Sequence, residues 1–174
     1  MRDGLVVFPT ETVYGIGANA LDDEAVKKIF KAKGRPQDNP LILHIADQKM
    51  LEDIVENVST LEKKLVDAFW PGPLTIIFHK KAHVAEVATC QGNTVGVRMP
   101  QNPVALELIR KAGVPIAAPS ANVSGRPSGT KLSDIQEELF RKSRCDARWR
   151  RDNHWPGVDC RESHWGRSKD FKTG

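Results

Sequence analysis

Short apolar runs recur along the first 142 residues and alternate with amphipathic segments. The run at residues 5–8 lies between Gly4 and Pro9 and predicts a buried strand, which a polar loop over residues 9–20 follows. Further runs of the same character predict strands at residues 41–45, 74–78, 94–98 and 115–118. These runs would supply the strands of one sheet.

The segments between the runs have the apolar spacing and the capping residues of helices. Asp22 is the predicted N-cap of a helix that ends at residue 33, directly before Gly34. Ser133 and Gln136 form a capping box for a helix that ends near residue 142. The other predicted helices cover residues 51–55, 60–69 and 102–111. Because strands and helices alternate, we predict an α/β fold with a mixed sheet.

Length and composition favour one soluble globular domain. The chain has 174 residues, of which 40% are hydrophobic and 28% charged, as in ordinary folded proteins. It contains no apolar run of about 20 residues that could span a bilayer, and the start is too short for a signal peptide, so we expect a cytoplasmic protein without a membrane partner. The cysteines, Cys90, Cys145 and Cys160, form no C-x-x-C pair and are expected to be free thiols.

The charge is unevenly distributed. The net charge is +4, but residues 143–174 contain 8 Lys+Arg against 5 Asp+Glu and carry most of it. This tail also holds three of the four Trp, while Val158 is its only Val, Leu or Ile. Such a composition predicts neither a helix nor a strand, so we expect a poorly ordered tail. A basic aromatic tail that binds nucleic acid is one interpretation, and an out-of-frame translation is the other.

The genetic code favours the second interpretation of the tail. If each codon is read from its second base, the codons for residues 155–162 permit the sequence G-L-E-S-T-V-V. In the same frame the codons from Ser143 onward permit V-D-A-M-R-D-G-G, which continues the helix before it into a strand. We therefore predict a domain over residues 1–142 and a tail that results from a frameshift near residue 142.

The sharpest candidate chemistry lies at the end of the first helix. Lys33 and Arg35 project from a loop shaped by Gly and Pro, which suits them to grip adjacent phosphates. The alternative is a solvated helix C-terminus, where the helix dipole favours cations. The spacing alone favours this alternative.

Other candidates also follow predicted strands, where ligands bind in open α/β sheets. The loop at residues 9–15 offers hydroxyls, a carboxylate and a phenol, and the segment 119–125 offers hydroxyls, an amide and turn N–H groups. His44 lies in an apolar strand and Arg98 at a strand end. Each has a structural alternative: ordinary turns, a hydrogen-bonded core histidine and a salt bridge to a carboxylate.

Five separated motifs occur in the order and spacing of one family. They are Pro9 to Gly17, Lys33-Gly34-Arg35 with Asn39-Pro40-Leu41, Trp70-Pro71-Gly72-Pro73-Leu74-Thr75, Val97-Arg98-Met99-Pro100, and Ser120-Ala121-Asn122 with Ser124-Gly125. On these motifs the chain closely resembles the YrdC/Sua5 family, the threonylcarbamoyl-AMP synthases of tRNA modification, over about residues 4–142. The resemblance implies a single YrdC-like domain, shortened at both ends, with a twisted mixed sheet, flanking helices and a concave cationic cleft. The family's next motif, Gly-x-Glu-Ser-Thr, occurs only in the shifted frame.

The resemblance implies an enzyme that uses ATP as a substrate with L-threonine and bicarbonate or CO2, and that forms threonylcarbamoyl-AMP and pyrophosphate. It assigns catalysis and the triphosphate to Lys33 and Arg35. The other residues that it assigns to ATP are Asn39, Thr94, Ser120, Asn122 and Ser128. Those that it assigns to L-threonine are Thr12, Tyr14, His44, Arg98 and Ala118.

The resemblance also implies Mg²⁺ beside the phosphates, although no carboxylate cluster identifies its ligands. The product would serve tRNA threonylcarbamoyl-transfer proteins that modify adenosine 37, and tRNA or double-stranded RNA is a further implied partner. Three alternatives stay open: an RNA-binding module without catalysis, a carbamoyl-transfer domain like that of hydrogenase-maturation proteins, and an inactive remnant that lacks the C-terminal motif. The second is disfavoured because the chain has no zinc-finger-like or acylphosphatase segment.

Overall fold

The structure is a computed structural model and describes residues 4–122, 146–152 and 155–161. The strands are β1 (Leu5–Pro9), β2 (Tyr14–Asn19), β3 (Ile42–His44), β4 (Ile76–His79), β5 (Thr94–Arg98), β6 (Ile116–Ala118), β7 (Asp146–Asp152) and β8 (Trp155–Arg161). The helices are α1 (Asp23–Lys33), α2 (Gln48–Ile54), α3 (Thr60–Phe69) and α4 (Pro103–Ala112), with a short 3-10 helix at Val87–Thr89.

The strands form one sheet in the order β4-β5-β3-β6-β2-β1-β8-β7. The pair β3 and β5 is parallel, and the other neighbouring strands in this order are antiparallel. The predicted α/β fold with a mixed sheet is therefore confirmed.

Strand β1 is buried on both faces of the sheet, as the continuous apolar run at residues 5–8 requires. Val7 of β1 packs in a core cluster with Ile29 of α1, whereas Phe8 packs in a second cluster with Ile109 of α4. Successive residues of a strand point to opposite faces, so each of these helices covers one face of the sheet. A strand covered on both sides carries apolar residues at every position.

Local signals fix the ends of α1. The Asp22 carboxylate accepts hydrogen bonds from the N–H groups of Glu24 and Ala25, as an N-cap does. Gly34 has a φ of 59° and ends the helix in the left-handed conformation that glycine adopts at little cost. Both predicted caps are confirmed, and they make Lys33 the last helical residue.

Gly17 of β2 is explained by packing. A Cβ atom on Gly17 would lie 2.4 Å from Cγ2 of Ile116 and 2.9 Å from Cε1 of Phe8. The absence of a side chain at this position lets β6 and the Phe8 ring close over β2. The prediction of a loop over residues 9–20 is wrong for residues 14–19, because β2 gains its strand conformation from pairing with β1 and β6.

Some predicted boundaries shift for local reasons. Helix α2 begins at Gln48, earlier than predicted, because the Asp47 carboxylate caps it by accepting from Met50 N at 2.8 Å. Strand β4 covers residues 76–79 rather than 74–78, since the carbonyl of Leu74 instead accepts from the Trp70 indole at 2.7 Å. The predicted helix that ends near residue 142 lies outside the described residues.

The tail contains regular structure where none was expected. Strands β7 and β8 pair with each other along their length, and β8 continues the sheet by pairing with β1. The expectation of a poorly ordered tail is wrong for these two segments, because pairing of backbones does not need aliphatic side chains. No helix in the described part of the chain is long and apolar enough to cross a membrane. Among the cysteines whose side chains are described, Cys90 is a free thiol.

Candidate functional site

Strand ends and loops enclose a cavity of about 240 Å³. The loop between β1 and β2, the ends of β3, β5 and β6, and the loop after α1 contribute its walls. The lining residues are Thr10, Thr12, Val13, Tyr14, Gly15, Arg35, Pro40, Leu41, Ile42, His44, Arg98, Ala118, Pro119 and Ser120. A cavity with apolar walls and a few polar groups is the usual form of a small-molecule site.

Arg98 and His44 lie side by side at one end of the cavity. The parallel register of β3 and β5 pairs these two residues directly. The Nε atom of Arg98 donates to the carbonyl oxygen of Gly72 at 3.2 Å. The Nη2 atom forms an ion pair with Oε1 of Glu11 at 2.5 Å. The guanidinium is therefore buried, charged and held on two sides.

His44 is neutral in this environment. Its burial and the nearby charge of Arg98 lower its pKa to about 4, so the imidazole carries no charge at pH 7. The ring packs edge-on against Phe8, with 5.8 Å between the ring centroids. The Nδ1 atom is buried and has no hydrogen-bond partner among the described residues. Because an unsatisfied buried polar atom is costly, this nitrogen is suited to a polar group of a ligand.

The loop between β1 and β2 is held by the hydroxyl of Thr10. This hydroxyl donates to the carbonyl oxygen of Val13 at 2.5 Å and accepts from the N–H of Thr12 at 3.3 Å. Threonine side chains commonly stabilise turns through such local bonds. The turn fixes the backbone that presents Thr12 and Tyr14 to the cavity.

Lys33 connects the end of α1 with the turn that follows β6. Its side chain is buried, and the ammonium group donates to the carbonyl oxygens of Ser120 and Asn122. The turn itself is tied together, since the side chains of Ser120 and Asn122 share a hydrogen bond of 2.5 Å. The backbone carbonyl oxygen of Tyr14 supports the same turn, because it accepts a hydrogen bond from the N–H of Ala121 at 2.7 Å.

Arg35 reaches the cavity from the loop after α1. Its Nη2 atom donates to the carbonyl oxygen of Asn39 at 3.4 Å, a long hydrogen bond. The Nε atom is buried without a partner among the described residues. This guanidinium therefore keeps donors for an anion, which it can bind through its planar fork.

Known proteins resemble this chain closely. The Sua5/YciO/YrdC family model, whose description reads "Telomere recombination", matches residues 1–146. The chain belongs to the Sua5/YciO/YrdC family. The threonylcarbamoyl-AMP synthase of Pyrococcus abyssi is 52% identical over 146 residues, which are 83% of this chain and 43% of that protein. The threonylcarbamoyl-AMP synthase of Bacillus subtilis is 54% identical over 136 residues, which are 78% of this chain and 39% of that protein.

A solved structure of a family member has the same fold. Pyrococcus abyssi Sua5 complexed with L-threonine matches this chain with a TM-score of 0.78 at 52% identity, over 81% of this chain and 42% of that one. The chain thus spans about two fifths of the length of these two synthases.

Most residues that resemblance to the Sua5/YciO/YrdC family assigned to a site come together in the structure. Those that line the cavity are Thr12, Tyr14, Arg35, His44, Arg98, Ala118 and Ser120. Lys33, Asn39 and Asn122 contact this group through the hydrogen bonds given above. Thr94 lies at the opposite end of β5 from Arg98 and does not line the cavity. Ser128 lies outside the described residues.

The structure adds residues that the sequence left without a role. Glu11 is the carboxylate partner of Arg98, and the apolar wall includes Leu41 and Ile42. The sequence offered one signal, since Arg98 at a strand end was expected to pair either with a ligand or with a carboxylate. The identity of that carboxylate required the fold.

Proposed function

We propose that this chain is the synthase domain of a threonylcarbamoyl-AMP synthase. It binds L-threonine, bicarbonate or CO2, and ATP, and it forms threonylcarbamoyl-AMP and pyrophosphate. The proposal is supported by 52% and 54% identity to proteins of that name. It is also supported by a cavity that combines guanidinium groups, a neutral histidine and hydroxyls. The product would be used by proteins that transfer the threonylcarbamoyl group to adenosine 37 of tRNA.

One observation carries the proposal: the ammonium of Lys33 contacts the carbonyls of Ser120 and Asn122. This contact joins the cation pair after the first helix to the hydroxyl and amide turn after β6. A nucleotide needs both kinds of group, cations for its phosphates and hydrogen-bond donors or acceptors for its ribose and base. The two groups are suited to one ligand because Arg35 and Ser120 both line the cavity and Lys33 connects their segments.

The end of the cavity near Arg98 would receive L-threonine. The guanidinium is the natural partner of the α-carboxylate, since it can donate parallel hydrogen bonds to two oxygens. The Nδ1 atom of His44 and the hydroxyl of Thr12 are available for the polar groups of the amino acid. Tyr14 and the backbone at Ala118 would complete this subsite.

The other end would hold ATP through Lys33, Arg35, Asn39, Ser120 and Asn122. Thr94, which does not line the cavity, and Ser128, which lies outside the described residues, remain proposed contacts. The amino group of threonine and CO2 first give a carbamate with loss of a proton. A carbamate oxygen then attacks the α-phosphorus of ATP, a P–O bond forms, and the bond to the β-phosphate breaks with its electron pair on pyrophosphate.

Catalysis would rest on positioning and charge. A carbamate and a triphosphate repel each other, and fixed cations in a partly dry cavity remove that repulsion. No covalent nucleophile is needed. Because the leaving pyrophosphate gains charge, loss of Lys33 or Arg35 should lower turnover more than it lowers threonine affinity.

The described residues do not form a protein site for Mg²⁺. No group of three His, Cys, Asp or Glu side chains in this part of the chain lies close enough to hold a metal ion. Mg²⁺ usually binds through one or two carboxylates together with phosphates and water. Any Mg²⁺ would therefore arrive with the phosphates of ATP, and no step proposed here depends on it.

The test is pyrophosphate release by the purified chain supplied with ATP, bicarbonate and L-threonine, with threonylcarbamoyl-AMP identified by mass spectrometry. We expect release that depends on threonine and is lost in Lys33→Ala, whereas the matched surface variant Lys63→Ala keeps it. Normal threonine-dependent release in Lys33→Ala would contradict the assignment. Salt-sensitive binding of double-stranded RNA without any pyrophosphate release would instead favour an RNA-binding module.

We also propose that residues 143–174 arise from a frameshift near residue 142. The shifted frame permits the Gly-x-Glu-Ser-Thr motif over the residues that form β8. Nucleotide sequencing of the gene around codon 142 tests this directly. A chain with the restored frame should have a higher melting temperature and a higher turnover, and equal values for the two chains would argue against a role for the lost motif.

A further inference from the structure

The contact between Glu11 and Arg98 has no assigned role in the reaction. The Oε1 atom of Glu11 lies 2.5 Å from Nη2 of Arg98; the Arg98 side chain is buried and the Glu11 side chain is partly exposed. Burial alone would raise the pKa of the Glu11 carboxyl, but the contact with Arg98 and its positive charge outweigh this effect and lower the pKa. The carboxylate is therefore ionised at neutral pH and forms a true ion pair with the guanidinium.

Glu11 approaches Arg98 from outside the cavity. Its neighbours Thr10 and Thr12 line the cavity, and so does Arg98, but Glu11 does not. The Glu11 carboxylate is therefore not part of the cavity lining, whereas Arg98 is.

Glu11 has a second anchor beyond Arg98. Its Oε1 atom accepts a hydrogen bond of 3.4 Å from the backbone N–H of Gln101. The carboxylate thereby ties the loop between β1 and β2 to the segment that follows β5. The guanidinium is held at a second corner by Gly72, which accepts from Nε at 3.2 Å.

Holding a guanidinium in one orientation favours ligand binding. A free arginine side chain loses conformational entropy when a ligand immobilises it, whereas a side chain that is already fixed does not. The planar fork then presents its remaining N–H groups in the geometry that the two oxygens of a carboxylate match. The negative charge of Glu11 has the opposite effect, because it offsets part of the attraction of Arg98 for an anion. Because the carboxylate that contacts Arg98 is itself anchored at Gln101, we take orientation to be the larger effect.

We propose that Glu11 is the positioning residue of the carboxylate subsite and fixes the Arg98 guanidinium for an α-carboxylate. This inference rests on the proposed function, since it takes L-threonine as the ligand of that subsite. Glu11 does not touch the reacting atoms. Its loss should weaken threonine binding and leave both the binding of ATP and the turnover at saturating threonine unchanged.

The test compares Glu11→Gln and Glu11→Ala with the unchanged chain and with Glu107→Gln, a surface control that also removes a paired carboxylate. Calorimetric titration with L-threonine should show an affinity about 2- to 12-fold weaker for Glu11→Ala, with a smaller loss for Glu11→Gln, which keeps an acceptor. Melting temperatures identify any variant that is unfolded, and Glu11→Gln, of nearly identical shape, keeps the test valid if Glu11→Ala unfolds.

A double-mutant cycle shows whether Glu11 acts through Arg98. In an Arg98→Ala background, Glu11→Ala should cause no further loss of threonine affinity. Tighter threonine binding by Glu11→Gln would overturn the proposal, because Glu11 would then be an internal competitor. An equal loss of ATP affinity would overturn it as a general structural effect. If the unchanged chain binds threonine but forms no threonylcarbamoyl-AMP, the proposed function is wrong. The titrations still test whether Glu11 positions Arg98 for threonine.

Discussion

Two buried cations beside the cavity are held in different ways. Lys33, which is not part of the lining, donates to the carbonyl oxygens of Ser120 and Asn122, whereas Arg98, which lines the cavity, pairs with the carboxylate of Glu11 at 2.5 Å. Carbonyl groups are dipoles without net charge, so these two contacts orient the ammonium through hydrogen bonds. A carboxylate orients the guanidinium and also offsets its charge.

This difference matches the ligands that we propose for each end. A triphosphate carries several negative charges and is attracted by cations that keep their charge. An amino-acid carboxylate carries a single charge, and geometry distinguishes it from other anions better than charge does. The threonine subsite is therefore expected to depend on the shape of the Arg98 fork more than on its charge.

The largest expected effect comes from Lys33, which is structural as well as functional. Lys33→Ala leaves two carbonyls without this donor, and an unsatisfied buried group costs about 1–3 kcal/mol. We expect the free energy of unfolding to fall by about 2–5 kcal/mol and turnover to fall about 100-fold or more. Denaturant unfolding and pyrophosphate release measure the two effects.

Arg35→Ala is the matched comparison for Lys33. Arg35 is only partly buried and makes two long hydrogen bonds, to the carbonyls of Asn39 and Pro40, so this variant should lose turnover while keeping nearly normal stability. If Lys33→Ala were as stable as Arg35→Ala, the contact of Lys33 with the turn after β6 would have no structural value.

Arg98→Lys tests whether the other end depends on shape. Lysine keeps the positive charge but lacks the planar fork, so the α-carboxylate loses a charge-assisted hydrogen bond. We expect the KM for threonine to rise about 10- to 100-fold, while the KM for ATP stays within about twofold. A rise in both constants would mean that the two ends are not independent.

The ends of α1 could be predicted because their causes are local. Asp22 and Gly34 act on the backbone within a few residues, so the sequence alone places them and makes Lys33 the last helical residue. The site residues Arg35 and Ser120 were found through motifs rather than through spacing, which by itself favoured a solvated helix end.

Other features depend on contacts between distant segments. Strand β2 contains Gly15 and Gly17, which local propensity assigns to a loop, and its conformation comes from pairing on both sides. Glu11 could not be assigned to Arg98, because nothing in the sequence indicates which carboxylate lies behind a given strand end. The strands of the tail were missed because backbone pairing leaves no pattern in the side chains.

His44 should make the stability of the fold depend on pH. Its pKa is lowered from 6.5 to about 4, so the unfolded chain takes up this proton at a higher pH than the folded chain. The stabilisation that this shift provides is present above pH 6.5 and is lost as the pH falls toward 4, by up to about 3 kcal/mol.

Denaturant unfolding at several pH values between 7 and 4.5 measures this effect. His44→Gln should show a weaker loss of stability over that range, with Glu107→Gln as the control. The pKa of Glu11 is also lowered, so its contribution to stability is lost only as the pH falls below its ordinary pKa of 4.5. Equal slopes for His44→Gln and the unchanged chain would contradict the neutral state of the buried imidazole.

The smallest expected effect comes from Gly17. A side chain at this position would disturb the packing near His44 more than the packing near Lys33 and Arg35. A Cβ atom there would press on Ile116 and Phe8, and both of these residues adjoin His44, one as its strand partner and one as its ring contact. Lys33 and Arg35 are instead positioned by α1 and by the loop that follows it. Gly17→Ala should therefore lower stability by about 1–3 kcal/mol and raise the KM for threonine more than the KM for ATP.

Gly113→Ala is the control. A side chain there would meet no neighbour, but φ is 68°, so this variant should lower stability and change the two KM values by the same factor. An equal rise of both constants in Gly17→Ala would show that the two ends share one packing unit.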